Sequence, residues 1–354
     1  MSQYVVLSHI DIQNANSIAG LTWGFPAITH FLGFTHALNR NVSRYYDGDY
    51  DCEITGCAVI SHTAANKVYQ PKQFADFEFL QSKNPPVLAK HKNYSPPIIE
   101  EGKMNLTVSL VIELNRSLLL TTDEIRKFEK KLLTLCYRMR LAGGTILNIK
   151  QAKLLSASTK EQQVDMLRKI KRLTLPGFVL LDRSDYLQQH YQTLLDHFTE
   201  DESTQNKPLL FDAWLDFSAL KCGAKPLLNK DQKDADESTP ADWEYLAKPY
   251  SGYLVPLMTG YKAISELYDA GLVINTRDET TPSRFVEAIH SIGEWKGMHG
   301  VDAVENTIWR YEGDDQWYLC KQSGHATAEE AAEEQMLEIE QTETINFNDA
   351  LNLF

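Results

Sequence analysis

The order of hydrophobic periods between residues 4 and 155 constrains this chain more than any other feature. Tyr4 to Ile10 alternates with period two, placing Val5, Leu7 and His9 on one face and Val6, Ser8 and Ile10 on the other. Pro26 then suits a first helical turn, and Ile28, Phe31, Leu32, Thr35, Ala37 and Leu38 come after it at helical spacing. Arg40 to Asp51 is polar and turn-rich. Strand character returns from Glu53 to Tyr69 through Ile54, Cys57, Val59 and Ile60, and again in the β-rich run Met104 to Leu114. Thr121 or Thr122 caps a second helix with Asp123 and Glu124 in its first turn, predicted to run to about Leu141 and to end at Gly143-Gly144. Thr145 to Leu155 completes the set as a strand.

Strand, helix, strand, strand, helix, strand is the ferredoxin-like split βαβ order, and it predicts an α+β fold. RNA-recognition modules share it, holding single-stranded RNA on the sheet face or adjoining loops. Residues 1–157 form this predicted unit, with 67–97 as an inserted arm or hairpin. That stretch carries Pro71, Pro85-Pro86 and Pro96-Pro97 among Phe74, Phe77, Phe79 and Tyr94. Residues 158–323 form a C-terminal α+β portion packed on the first unit. Helices are expected at Ser158–Arg172, at Asp182–Phe198, after Gly260, and after Pro282, where Thr280 or Thr281 caps and Phe285, Val286 and Ile289 are buried. Strands are expected at Leu175–Leu181 and Tyr253–Met258, and a hairpin over Trp309–Cys320 turning at Gly313-Asp314-Asp315. Glu200–Lys207 reads as a polar link, 229–243 as a mobile loop, and residues 324–354 as a flexible acidic tail.

Charge is distributed unevenly. The net charge is −13, yet Arg126 to Arg172 carries thirteen Lys or Arg against Glu129, Glu161 and Asp165, a local net of +10. Residues 329–349 carry eight acidic groups and no basic one. Phosphate affinity tracks local potential, so the basic segment points to a nucleic-acid partner despite the total. No run of about eighteen apolar residues predicts a membrane span. The amino terminus has no signal-peptide pattern, and the five cysteines form no CxxC pair, which together predict a reducing, cytoplasmic setting.

Chemistry-bearing patterns are few. The chain has no Walker loop, GxSxG, HExxH or EF-hand loop, and its motifs call for no cofactor and no metal. His9, His30 or His36 could act as a general base in metal-independent RNA cleavage, so an endoribonuclease is one rival function. A protein-docking scaffold whose basic segment meets an acidic partner is another. The loop Gln13–Gly24, with Asn14, Asn16, Ser17 and Trp23, offers amides, backbone donors at a helix N-terminus and one indole for stacking. Arg138 and Arg140 flank Gly143-Gly144, where two glycines allow close backbone approach to a phosphate.

Four blocks together resemble one family. They are I-Q-N-A-N-S-I…L-T-W-G-F-P over 12–26 with F-L-G-F-T-H-A-L after it, and M-R-L-A-G-G-T-I-L over 139–147. The others are L-P-G-F-V-L over 175–180, and L-V-P…G-Y with R-D-E-T-T-P-S-R-F-V-E…G-E-W over 254–295. The chain resembles the Csy-two protein family, the Cas-five-type subunit of the type I-F CRISPR surveillance (Csy) complex. The resemblance implies a repeat-associated (RAMP) ferredoxin-like fold without catalysis. It implies binding of the 5′ handle of the CRISPR RNA (crRNA) and pairing with the large subunit. It also implies a neighbouring backbone subunit and nearby target double-stranded DNA. Mapped onto this chain, Gln13, Asn14, Asn16, Ser17 and Trp23 would hold handle bases. Arg138, Arg140, Gly143 and Gly144 would cradle phosphates, and Lys150, Lys153, Arg168, Lys169 and Arg172 would extend the positive track. Arg277 and Arg284 lie in a matched block, where Asp278 and Glu279 could instead pair with them. Trp295 is expected in the core.

Overall fold

The computed structural model describes residues 2–46, 53–82, 101–116, 118–200, 207–227, 239–276 and 278–322. Nearly half of the predicted arm (83–97), most of the 229–243 loop, Arg277 and the acidic tail lie outside the described residues. The first half contains β1 (Ser2–Asn16), α1 (Ile28–Tyr45), β2 (Ile54–Asn66), β3 (Glu101–Leu114), α2 (Thr122–Cys136) and β4 (Gly144–Ala157). The second contains α3 (Lys160–Thr174), β5 (Phe178–Asp182), α4 (Ser184–Glu200), α5 (Leu210–Ser218), β6 (Leu254–Ala263), β7 (Val286–Gly297), β8 (Trp309–Gly313) and β9 (Trp317–Gln322).

These strands build one large antiparallel sheet, in the order β5-β7-β6-β9-β8-β2-β3-β1-β4. β5 also returns to β2 through Phe178–Ser61 and Val179–Ile60, so six strands close into a ring sharing β2 with the open half. The C-terminal strands therefore continue the sheet of the first half. Two of the short pairings outside it concern the site: Ile18–Ala19 with Thr22–Trp23, and Val68–Tyr69 with Glu78–Phe79, the base of the predicted arm.

Helices cover both faces of the open half. Val5, Leu7, Ile10 and Ile12 pack on Phe31, Leu32, Phe128 and Leu132 of α1 and α2. Tyr4 and Val6 pack on Met166 and Ile170 of α3, with Val301 and Ile308. The strict alternation expected for β1 breaks at His9, whose φ is 48°. The register against β3 shifts between Leu7 and Ile10, because a bulge adds one residue and reverses the parity of the residues beyond it. Ile10 thus joins Val5 and Leu7 in the core, opposite to its expected side.

Local chemistry explains most helix ends. Thr121 Nα donates to Glu124 Oε2 at 2.8 Å, and Glu124 Nα to Thr121 Oγ1 at 3.5 Å, a reciprocal cap that starts α2 as expected. These donated hydrogen bonds hold the Glu124 carboxyl below its ordinary range. Several boundaries differ from expectation. α1 continues to Tyr45 because Val42 and Tyr46 still find apolar cover. α2 stops at Cys136, where tight turns take over, with Arg138 Nα bonded to Leu135 O and Met139 Nα to Cys136 O. Gly143 is thus no helix cap. Ala142 (φ 50°) and Gly143 (φ 75°) form a two-residue turn joining Arg140–Leu141 to Gly144–Thr145.

The helices expected after Gly260 and Pro282 are strand or irregular chain instead. Asp278 Oδ1 accepts from Thr280 Nα and Thr281 Nα, so the capping signal builds a turn. Val286–Glu294 then pairs with β6 and Gly293–Gly297 with β5, and this long-range pairing overrides the local cap.

Candidate nucleic-acid interface

The end of β1, the adjoining loop and the Ala142–Gly143 turn meet at one corner. Asn16 Nα donates to Ala142 O at 2.8 Å, Ser17 Nα to Gly102 O at 3.0 Å, and Gly24 Nα to Ser17 O at 2.8 Å. Gly144 sits so close to β1 that an added Cβ would lie 2.7 Å from Gln13 O and 2.8 Å from Ala15 Nα. Its missing side chain serves this strand contact, and Gly143 serves the turn.

These constraints divide the loop residues by role. Asn16 is turned inward, its Nδ2 donating to Ile18 O at 2.6 Å and its Oδ1 accepting from Ile18 Nα at 3.1 Å. Ser17 is fully buried and its hydroxyl has no hydrogen-bond partner. Gln13 and Asn14 are exposed. Asn14 stands at φ 58°, its Oδ1 accepting from Lys67 Nζ and its Nα donating to Asn105 Oδ1 at 3.3 Å. Trp23 is half-buried and stacks on Phe79 with 4.2 Å between ring centroids, so the arm occupies one indole face. Arg138 and Arg140 stand beside this corner, both exposed, and Arg140 Nη1 donates to Gly143 O at 3.2 Å.

The basic segment that is continuous in sequence is split in space. α2, with Arg126, Lys127, Lys130 and Lys131, lies on one face of the sheet and α3 on the other. Lys153 is neutralised by Glu129, 2.9 Å away, which also accepts from Leu154 Nα at 3.0 Å. Arg168 pairs with Asp165 at 2.9 Å. Lys150, Lys169 and Arg172 are exposed and make no ion pair among the described residues. Arg277 lies outside the described residues. Arg284 is half-buried with its Nε unpaired, before β7, and no described contact joins it to the β1 corner.

Sequence reading missed a second cluster on the α3 side of β1. His9 stacks on His62 of β2 at 4.0 Å and an interplanar angle of 11°. Buried Ser109 Oγ accepts from His9 Nα at 2.9 Å and lies 2.7 Å from His62 Nε2, while His62 Nδ1 is 2.6 Å from Pro176 O. A carbonyl can only accept, so His62 carries its proton on Nδ1 and takes the Ser109 hydroxyl proton at Nε2. Ser8 Oγ donates to Leu173 O at 2.6 Å and accepts from His9 Nδ1 at 2.8 Å, leaving His9 Nε2 as a free lone pair. Burial above all holds both rings below the usual histidine pKa, with the His62 ring and Lys150 adding to it at His9, and the two imidazoles stand neutral near pH 7. No local signal marked His62, because its partner lies 53 positions away and only the pairing of β1, β3 and β2 brings them together. His30 and His36 are elsewhere on α1, His30 half-buried near Ala27 O and His36 exposed.

The two depressed rings make stability depend on pH. A histidine whose folded pKa is depressed binds fewer protons in the folded chain, so stability is complete above about 6.5 and falls as pH drops below it toward the folded pKa. Thermal unfolding midpoints should fall between pH 6.5 and 5, and His62→Gln should flatten that decline. A midpoint in His62→Gln that tracks the parent across the range would remove the pair from this role.

Between the loop and the C-terminal strands lies a cleft of about 590 Å³, lined among others by Trp23, Phe25, His62, Asn66, Tyr253 and Trp295. Trp295 is half-buried, meeting Phe25 edge-on at 4.7 Å, so it borders the cleft as well as the core. Asn66 Oδ1 is buried without a partner. Among the described residues, no group of His, Cys, Asp or Glu is placed to hold a metal ion, and no helix is long and apolar enough to cross a membrane.

Comparison with known proteins assigns this chain to a class. The sequence model of a family described as CRISPR-associated protein (Cas_Csy2) matches residues 5–320. "CRISPR-associated protein Csy2" of Pseudomonas aeruginosa (strain UCBPP-PA14) is 33% identical over 319 residues, covering 88% of this chain and 91% of that protein. The chain therefore belongs to the Csy2 family of CRISPR-associated proteins.

Proposed function

We propose that this chain is a non-catalytic subunit of a type I-F CRISPR RNA-guided surveillance complex, binding the 5′ handle of the crRNA in the cytoplasm. It pairs with the large Csy subunit, adjoins a backbone subunit and lies near target double-stranded DNA at the flanking motif. Membership of the Csy2 family supports assembly into a Csy complex. A ferredoxin-like RAMP core is supported by the βαββαβ order and by the antiparallel order β4-β1-β3-β2.

The observation that carries handle binding is the corner itself. Exposed Gln13 and Asn14 amides adjoin Arg138 and Arg140, and Lys150 lies further along β4. Amides read base edges, while the cations answer phosphates. α3 covers the sheet face that an RNA-recognition module would use, so the RNA is assigned to the loops and the strand end. Asn16 and Ser17 then shape the loop from within, and Trp23 offers its second face.

The test uses the protein co-expressed with its large subunit, in a salt series, with handle RNA and a scrambled RNA of equal length resolved on gels. Preference for the handle, with the RNA intact, is the expected result. Equal affinity for both would reduce the claim to a basic surface.

One observation favours a second reading. The neutral His9 ring, with a free Nε2 near Lys150, is the kind of base that metal-independent RNA cleavage uses. Specific cleavage in the same gels, abolished by His9→Ala with binding retained, would establish the endoribonuclease instead.

A further inference from the structure

We propose that the acidic segment 329–349 docks on the α3 side of this same chain and shields its basic stripe from polyanions that are not its RNA. The stripe is Arg168, Lys169 and Arg172, exposed on α3, with exposed Lys150 on β4 near the His9–His62 pair. Lys169, Arg172 and Lys150 have no ion pair among the described residues, so the stripe is an unanswered positive surface on a chain of net charge −13. Like charges set side by side repel, and they favour any anion that reaches them.

The tail supplies that anion in matching amount and spacing. Glu329, Glu330, Glu333 and Glu334 recur with the separations that relate Arg168, Lys169 and Arg172, and four more acids come before residue 350 without one base. The family match ends at residue 320, so this segment lies beyond the frame shared with Csy2 proteins and needs its own explanation.

Geometry allows the contact. The last described residue is Gln322, whose side chain donates to Leu180 O and Thr307 O at 2.9 Å each. Thr307 directly precedes Ile308, which shares a buried cluster with Met166 and Ile170 of α3. The seven residues from 323 to 329 span about 23 Å when extended, and α3 is about 22 Å long, so the acidic run can lie along the whole helix.

Masking acts as a filter. A weak intrachain anion, present at high effective concentration, competes with every polyanion. An RNA that also gains base contacts at the β1 corner outcompetes it, whereas an RNA with phosphates alone does not. This last step rests on the handle-binding reading above, but the docking does not.

Zero-length carbodiimide crosslinking of the full chain without RNA, mapped by mass spectrometry, tests the docking directly. Expected crosslinks join Lys169, and Lys150 in smaller yield, to glutamates between 329 and 343, and they fade in 1 M salt or with heparin. Mixing ¹⁵N-labelled and unlabelled chains separates contacts within a chain from contacts between chains. Crosslinks only to the lysines of α2, only between chains, or none at all would overturn the proposal.

The second arm replaces Glu329, Glu330, Glu333 and Glu334 by Gln and measures scrambled RNA. Affinity is expected to tighten about five- to tenfold, with handle RNA changing less. Unchanged affinity for scrambled RNA, in a chain that binds RNA, would overturn the shielding. If neither RNA binds either version, the handle reading fails and the crosslink map alone decides the docking.

Discussion

Replacing Trp309 by alanine should cost about 3–5 kcal/mol, a large share of the ~5–15 kcal/mol that holds a domain folded. Trp309 is fully buried, 0% exposed, at the point where the strand ring closes. It opens β8 opposite Cys57 of β2, and its Nε1 donates to Leu180 O of β5 at 3.0 Å. The same carbonyl accepts from Gln322 Nε2 of β9 at 2.9 Å, and Gln322 Oε1 accepts from Asp182 Nα at 2.9 Å. One indole and one amide thus tie three strands of the ring, β5, β8 and β9. Truncation removes the apolar contact of the largest fully buried side chain and leaves a cavity that the surrounding strands cannot collapse, since each is held by ladders on both sides. Trp309→Phe keeps most of the volume and loses the hydrogen bond, for about 1–2 kcal/mol. Trp243, 75% exposed, is the control, and Trp243→Ala should fall within about 0.5 kcal/mol of the parent. Urea unfolding tracked by circular dichroism gives the midpoints. A Trp309→Ala midpoint within about 1 kcal/mol of the parent would show that the ring is not one cooperative unit.

The parts of the fold legible in the sequence were those that local periodicity and local capping decide. The β1, α1, β3, α2 and β4 elements were readable because their apolar residues recur at one period and their caps are adjacent in sequence, as with Thr121 and Glu124. β7 was not, since Val286–Glu294 is a strand only because β6 pairs with it from more than twenty positions away, and Gly293–Gly297 because β5 does from more than a hundred. The His9 bulge was hidden for a related reason: one extra residue leaves the composition of β1 unchanged and appears only as a register shift against β3. The site shows the same division. The loop and the glycine pair stood out as local patterns, but the tasks of Gly143 and Gly144 depend on a turn and on β1. The basic segment, uniform along the chain, is divided by the sheet between two faces, because α2 and α3 pack on opposite sides of β4. Charge counted along a sequence is therefore not charge gathered in a patch.

That division makes the second large effect sharp. The triple variant Lys150→Ala, Lys169→Ala, Arg172→Ala should weaken binding of handle RNA by about 10- to 100-fold at physiological salt, and lower the slope of log affinity against log salt by about 2. Each lost phosphate contact on single-stranded RNA removes ~0.7 from that slope, so three contacts account for the change. All three side chains are exposed and make no ion pair among the described residues, so folding stability should stay within about 0.5 kcal/mol and the loss belongs to binding. The matched control is Arg126→Ala, Lys127→Ala and Lys130→Ala on α2, equal in charge removed and nearby in sequence. Placed on the far face, it should change the slope by well under 1 unit. Were RNA affinity set by total charge, both triples would weaken binding alike, and equal losses would sink the one-sided track. A loss confined to the α3-side triple would place the RNA backbone along Lys150 and α3. The Gln13–Asn14 corner would then hold the sequence-reading end, where Asn14→Ala should reduce preference for the handle over scrambled RNA while leaving the salt slope unchanged.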